Sequence, residues 1–149
     1  MKCTNWQAYV AEHRFLPIAN QSVDLVTAGW TICYATNTHV EQWRDNLELI
    51  MVEIQRVLRP SGAVIIFENF GSGDEQPKPP ENLLPYYEAL VTSYGFSHQY
   101  IRTDSHFDSV EEAEHLFRFF FGEQFADRVK AQKSPLVPAC TGVWWRTYD

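Results

Sequence analysis

The sequence predicts an α/β fold whose sheet is parallel in its first strands, covered by helices, and antiparallel near the C-terminus. Three observations predict it. Val23–Ala28 and Ala63–Phe67 are short apolar runs without strict alternation, the pattern of strands buried on both faces of a parallel sheet. Between them, Glu41 to Leu58 changes to a helical period, so strand, helix, turn and strand form one βαβ unit. Further on, Ser97 to Asp104 and Ala139 to Tyr148 read as strands around two helical pieces. The chain has 149 residues, the common size of one domain, and no linker divides it, so 1–149 is expected to fold as a single unit.

The elements follow in order. Trp6 to Ala11 alternates and predicts a short strand. Leu16-Pro17 and Ala19 to Ser22 mark a turn into the run at Val23–Ala28, which Gly29 ends. In the helix, Trp43, Leu47, Ile50, Ile54 and Val57 form one stripe, widened by Met51 and Leu58, while Arg44, Asp45, Glu48, Gln55 and Arg56 take the solvated side. Pro60 stops it, and Ser61-Gly62 turns the chain into the strand Ala63–Phe67. Glu68 to Pro80, with two glycines and three prolines, reads as a long loop. A helix is expected from about Pro85 to Gly95. Ser109 with Glu112 is a capping box for a helix whose apolar face is Val110, Ala113, Phe117 and Phe120, and Gly122 breaks it before a second piece, Glu123 to Gln132. The phenylalanines from Phe117 to Phe125 are expected to pack against the sheet. Trp144 and Trp145 alternate, so one faces in and the other out.

Composition excludes several function classes. Twelve basic against nineteen acidic residues give −7, which argues against a nucleic-acid backbone binder. No apolar run approaches a bilayer span, so no membrane partner is expected. Three widely spaced cysteines fit neither a disulfide framework nor a zinc site, and a reducing cytoplasm is the default setting. The five histidines show no metal-ligand spacing, so no metal is expected. The unusual figure is 15% aromatic.

In open α/β sheets, ligands bind beyond the carboxyl ends of the strands. Ala11-Glu12-His13, Gly29-Trp30-Thr31 and Glu68-Asn69-Phe70 fall there. Glu12 can accept from an amine or amide edge, Trp30 offers a flat face, and Gly29 allows close approach to the backbone. Each has a plain structural reading as well: an acid after a strand caps turns, and a tryptophan fills cores. His39, ahead of the helix, is either a general base or a polar residue at the helix start.

Two segments carry a resemblance. Phe15-Leu16-Pro17-Ile18-Ala19-Asn20-Gln21-Ser22-Val23-Asp24-Leu25-Val26 resembles the "LPF-x-D-x-S-F-D-L-V" segment of class I S-adenosylmethionine-dependent methyltransferases of the type-11 branch. Glu53 to Gly62 resembles their "E-x-x-R-V-L-R-P-G-G" helix end and turn, with Ser61 in place of the first glycine, and Tyr94-Gly95-Phe96 matches the turn into their penultimate strand. The resemblance implies a Rossmann-like doubly wound sheet, S-adenosylmethionine as cofactor, and methyl transfer to a small organic acceptor. It implies Glu12, His13, Gly29 and Trp30 at the cofactor, and Thr31, Tyr34 and Asn69 near the acceptor. Tyr34 and His39 are its candidates for acid–base work, although holding the acceptor in line with the methyl group suffices in many such enzymes.

One departure stands beside this. The family's Gly-rich cofactor turn and its acid are absent, and Met1 falls near the family's third strand, so the fold is expected to be partial, N-terminally truncated relative to the family. Val23–Ala28 is then expected to be a bare sheet edge, covered by a second copy in a homo-oligomer or by a partner chain. The rival reading is a non-catalytic module that keeps the scaffold and serves in protein association.

Overall fold

The computed structural model describes residues 5–149; Cys3 lies outside them. The order of elements is β1 (Val23–Gly29), α1 (Cys33–Thr36), α2 (Trp43–Val57), β2 (Leu58–Ser72), a 3₁₀ turn (Glu81–Leu83), α3 (Leu84–Thr92), β3 (Ser97–Arg102), β4 (Ser105–His106), α4 (Val110–Phe121), α5 (Glu123–Gln132), β5 (Leu136–Val137) and β6 (Ala139–Thr147). The main sheet runs β1-β2-β6-β3, parallel between β1 and β2 and antiparallel elsewhere, and β4 and β5 form a separate antiparallel pair. A mixed α/β sheet with an antiparallel C-terminal part is what the sequence predicts.

The helix stripe does what its spacing requires. Trp43, Leu47, Ile50, Met51, Ile54 and Val57 are buried, and all but Val57 join Val64 and Ile66 of β2, Tyr86 and Leu90 of α3, and Trp144 of β6 in one core. Trp144 is buried and Trp145 half-exposed, as their alternation predicts. Its ring stacks on His98 at 4.4 Å and meets Tyr87 at 4.5 Å. It also lies over Gly142, where an added Cβ would come within 2.4 Å of the indole, so only glycine fits two residues before it. Gly95, at φ +69°, closes α3, with the Phe96 N–H reaching back to the Leu90 carbonyl at 3.0 Å.

Four expectations are corrected. Trp6 to Ala11 forms no strand: its residues are exposed, and among the described residues no strand lies beside them, so the alternation supplies a face with nothing to pair with. β1 is not buried on both faces. Among the described residues it is an edge strand, joined to β2 alone, and Leu25 is half-exposed, because α2 and α3 cover one face of the sheet and no described strand flanks its other edge. The loop expected from Glu68 begins later, since β6 offers backbone partners that carry β2 on to Ser72; Glu68 pairs with Gly142 and Ser72 with Ala139. The turn at Ser61-Gly62 survives as a bulge inside β2, with Ser61 at φ +64°.

The fourth correction concerns the phenylalanines. α4 and α5 break at Gly122 and are capped by Ser109, whose hydroxyl accepts the Glu112 N–H at 3.1 Å, as the capping box predicts. They do not lie flat on the sheet. With β4 and β5 they build a lobe with a small core of its own: Ala113, Phe117, Val129 and Val137, with Phe107 and Phe125 against it. Phe119, Phe120 and Phe121 are left exposed to differing degrees, because a two-helix lobe has only one interior side.

Candidate functional site

β1 runs parallel to β2 and ends with Gly29 beside Phe67, inside the longer β2. Trp30 follows at φ +50°, and its N–H donates to the Phe67 carbonyl at 2.8 Å, while its ring stacks on that of Phe67 at 6.4 Å. Two cavities open at this end.

The larger, of about 650 Å³, lies between the sheet and the lobe. Trp30, Cys33, Tyr34 and Asn69 line it from the strand ends, Ser72, Thr103 and Thr141 from the sheet, and Phe107, Phe117, Phe120 and Phe121 from the lobe. The smaller, of about 350 Å³, lies beside the free edge of β1 and is lined by His13, Leu16, Ile18, Gly29, Thr31 and apolar residues of β1 and α2.

The sequence candidates are thus divided. Trp30, Tyr34 and Asn69 share the larger cavity; His13, Gly29 and Thr31 share the smaller. Glu12 and His39 line neither. Glu12 is exposed and paired with Arg14, and its carbonyl accepts the Phe15 N–H in a tight turn. His39 is exposed, its N–H held by the Asn37 side chain at 3.1 Å. Among the described residues no group of three or more His, Cys, Asp or Glu could hold a metal ion.

Two buried glutamates complete the surroundings; the sequence places Glu68 in a strand-end segment without a role, and gives Glu53 no place at the site. Glu53 of α2 accepts the Leu16 N–H at 2.6 Å and is bridged by Arg56 Nε and Nη2 at 2.8 and 2.7 Å. Arg56, expected on the solvated side, instead reaches back to the Ile18 carbonyl at 2.8 Å and the Asn20 side chain at 2.6 Å. The E-x-x-R spacing is therefore a clamp that fixes the chain entering β1. Arg56 holds the Glu53 carboxyl down at about 2, chiefly through those hydrogen bonds, against the opposing effect of burial.

Glu68 of β2, one residue past the pairing of Gly29 with Phe67, is fully buried. One oxygen accepts the Cys33 N–H at 3.1 Å and the Tyr86 hydroxyl at 3.3 Å; the other has no partner. Burial pushes its carboxyl up, and burial together with Glu68 pushes the Cys33 thiol to about 12. Tyr87 completes the layer, donating to the Asn69 carbonyl at 2.8 Å. Glu68 thus holds the start of α1 from beneath the larger cavity. The signal for both acids was in the periodicity: Glu53 lies on the face of Ile50 and Val57, and Glu68 continues the inward series Val64, Ile66.

Comparison with known proteins agrees with this geometry. Residues 2–66 match the family described as "Methyltransferase domain". No curated protein matches the chain. Among solved structures, a candidate type II methyltransferase from Anaeromyxobacter dehalogenans is 14% identical, with a TM-score of 0.54 over 97% of this chain and 71% of that one. A SAM-dependent methyltransferase from Aquifex aeolicus is 14% identical over 95% of this chain and 55% of that one, with a TM-score of 0.46. Phosphoethanolamine N-methyltransferase 2 from Haemonchus contortus, solved with phosphomonomethylethanolamine and S-adenosylhomocysteine, is 16% identical over 93% and 36%, with a TM-score of 0.46. The fold is that of the class I methyltransferases. The matched segment spans both motifs and bears out, over residues 2–66, the resemblance read from them.

Proposed function

We propose that this chain serves S-adenosylmethionine-dependent methyl transfer to a small organic acceptor. The observation that supports it best is the coincidence of the matched segment 2–66 with the strand end at Gly29 and Trp30, where both cavities open. On this reading the larger cavity takes the acceptor, and Trp30 stands between acceptor and cofactor. Such a site works by holding the acceptor in line, an effect that alone can supply about 7–11 kcal/mol of barrier lowering. Tyr34, at the cavity mouth, is the hydroxyl available to a leaving proton.

The residues present do not by themselves make a complete cofactor site. The fit is good at Gly29, where an added Cβ would meet nothing within 4 Å, leaving the backbone open to approach. It fails in the rest of the smaller cavity. Its lining is largely apolar and holds no carboxylate, whereas the cofactor brings a ribose diol, an ammonium and a sulfonium that need polar partners. We therefore place the remainder of the site across the free edge of β1, on a second copy or a partner chain paired there, and derive no chemical step through the cofactor.

Calorimetric titration with S-adenosylmethionine, on protein whose mass has been fixed by size-exclusion light scattering, tests this. Micromolar binding by an oligomer or complex, lost in Trp30→Ala, is the expected result. No heat from any assembled form would overturn it in favour of an association module.

A further inference from the structure

We infer that the larger cavity takes a neutral, flat aromatic molecule that carries an oxygen, and that it rejects charged compounds of the same size. This rests on reading that cavity as the acceptor side, but the binding itself needs no cofactor.

Three features carry it. First, among the described residues not one that lines the cavity is charged or a histidine, although the chain is −7 overall. An ion entering would shed its water with no counter-charge to meet it, which costs far more than burying a neutral group. Glu68 does not relieve this: it is absent from the lining and lies beneath Cys33.

Second, flat rings line the cavity from both the sheet and the lobe. Trp30 lies on the sheet side, and Phe120 and Phe121 lie on the lobe side. These three are also among the exposed large hydrophobic residues of the molecule. Their exposure is what a stacking ligand would remove, and at about 650 Å³ the space suits a bicyclic or tricyclic ligand.

Third, the polar lining groups that are not satisfied within the protein can all donate. The Asn69 side-chain oxygen already accepts the Gly71 N–H at 3.0 Å and the Ser72 hydroxyl at 3.2 Å. Thr103 and Thr141 are satisfied by each other at 2.7 Å. What remains for a ligand, among the described residues, is the Asn69 amide N–H with the Tyr34 and Ser105 hydroxyls; all three can donate, which suits an oxygen acceptor such as a phenolic or carbonyl oxygen.

The test is equilibrium binding, without cofactor, of four probes of one size: 2-naphthol, naphthalene, 2-naphthoate and 2-naphthylmethylammonium. We expect 2-naphthol to bind tightest, naphthalene more weakly, and both ions at least about tenfold more weakly than the naphthol. Asn69→Asp keeps the two bonds to Gly71 and Ser72 but replaces the free donor by a charge, and should weaken 2-naphthol about tenfold or more while leaving the circular dichroism unchanged. Phe120→Ala, at an exposed position that the fold does not need, should weaken all four. Either ion binding as tightly as 2-naphthol overturns the inference, as does naphthol binding that both variants leave unchanged, or no naphthol binding at all. Because no cofactor is present, these outcomes are independent of the S-adenosylmethionine titration.

Discussion

Glu53 and Glu68 are both buried, both within hydrogen-bond reach of a backbone N–H, and fifteen residues apart on consecutive elements, yet they are opposites. Glu53 has a guanidinium across from it and its carboxyl is held down at about 2. Among the described residues Glu68 has no cation beside it and keeps one oxygen without a partner, and its carboxyl is pushed up by burial. The difference separates two uses of an acid. Glu53 stabilises, because it joins α2 to the chain entering β1. Glu68 costs stability when ionised, and what it secures in return is the start of α1, where Cys33 and Tyr34 meet the larger cavity.

Three substitution or labelling experiments sharpen this contrast. The largest effect is expected from Glu53→Gln, which keeps the shape but loses the charge-assisted bonds and should cost about 2–3 kcal/mol near neutral pH. A carboxyl lowered in the folded state contributes fully above its ordinary value of 4.5, and the contribution fades as the pH falls toward about 2. Urea unfolding of both proteins across that range should show the gap closing; a gap that stays constant with pH would mean that packing, not charge, carries it.

Glu68→Gln should act in the other direction and more weakly, stabilising by on the order of 1 kcal/mol at about pH 8. A carboxyl raised in the folded state leaves stability greatest below its ordinary value, and stability falls as pH rises through the raised one. The gain should therefore disappear at about pH 4. Loss of stability at both pH values would show that the carboxylate is satisfied by something other than Cys33 and Tyr86.

The smallest effect is on Cys33 itself. Its thiol stands at about 12, so alkylation by iodoacetamide should be slow in the folded protein. In Glu68→Gln the modification of the Cys33 peptide, followed by mass spectrometry, should speed up a few-fold, since the negative neighbour is gone. An unchanged rate would leave burial as the whole cause.

Much of the fold could be read from the sequence where local periodicity and burial agree. The α2 stripe, the Ser109 cap, the stops at Gly95 and Gly122 and the Trp144/Trp145 alternation all behave as their spacing dictates. The misreadings share one cause: each depended on what lies beside a segment. Trp6 to Ala11 has a strand's alternation but no neighbouring strand, and β2 runs past Phe67 because β6, some seventy residues away, pairs with it. The site divided in the same way. The strand-end residues Gly29, Trp30 and Asn69 were readable from position alone. The aromatic wall formed by Phe120 and Phe121 was not, because only the docking of the lobe turns those residues toward the sheet. Arg56 illustrates a further limit. A helical wheel places it on the wet side, but its length lets it fold back over a loop that no wheel contains.

The position of β6 has a consequence in time. It lies between β2 and β3, pairing Ala63 with Thr147 and Ser97 with Trp145, yet it is made after both. During synthesis, which proceeds at about 5–20 residues per second, β1, α2 and β2 emerge and assemble first, and β2 then waits with an open flank until its middle neighbour arrives. The sheet closes from the inside, last strand into a reserved slot, so the nascent chain is most exposed to wrong pairing just before Trp144 is added.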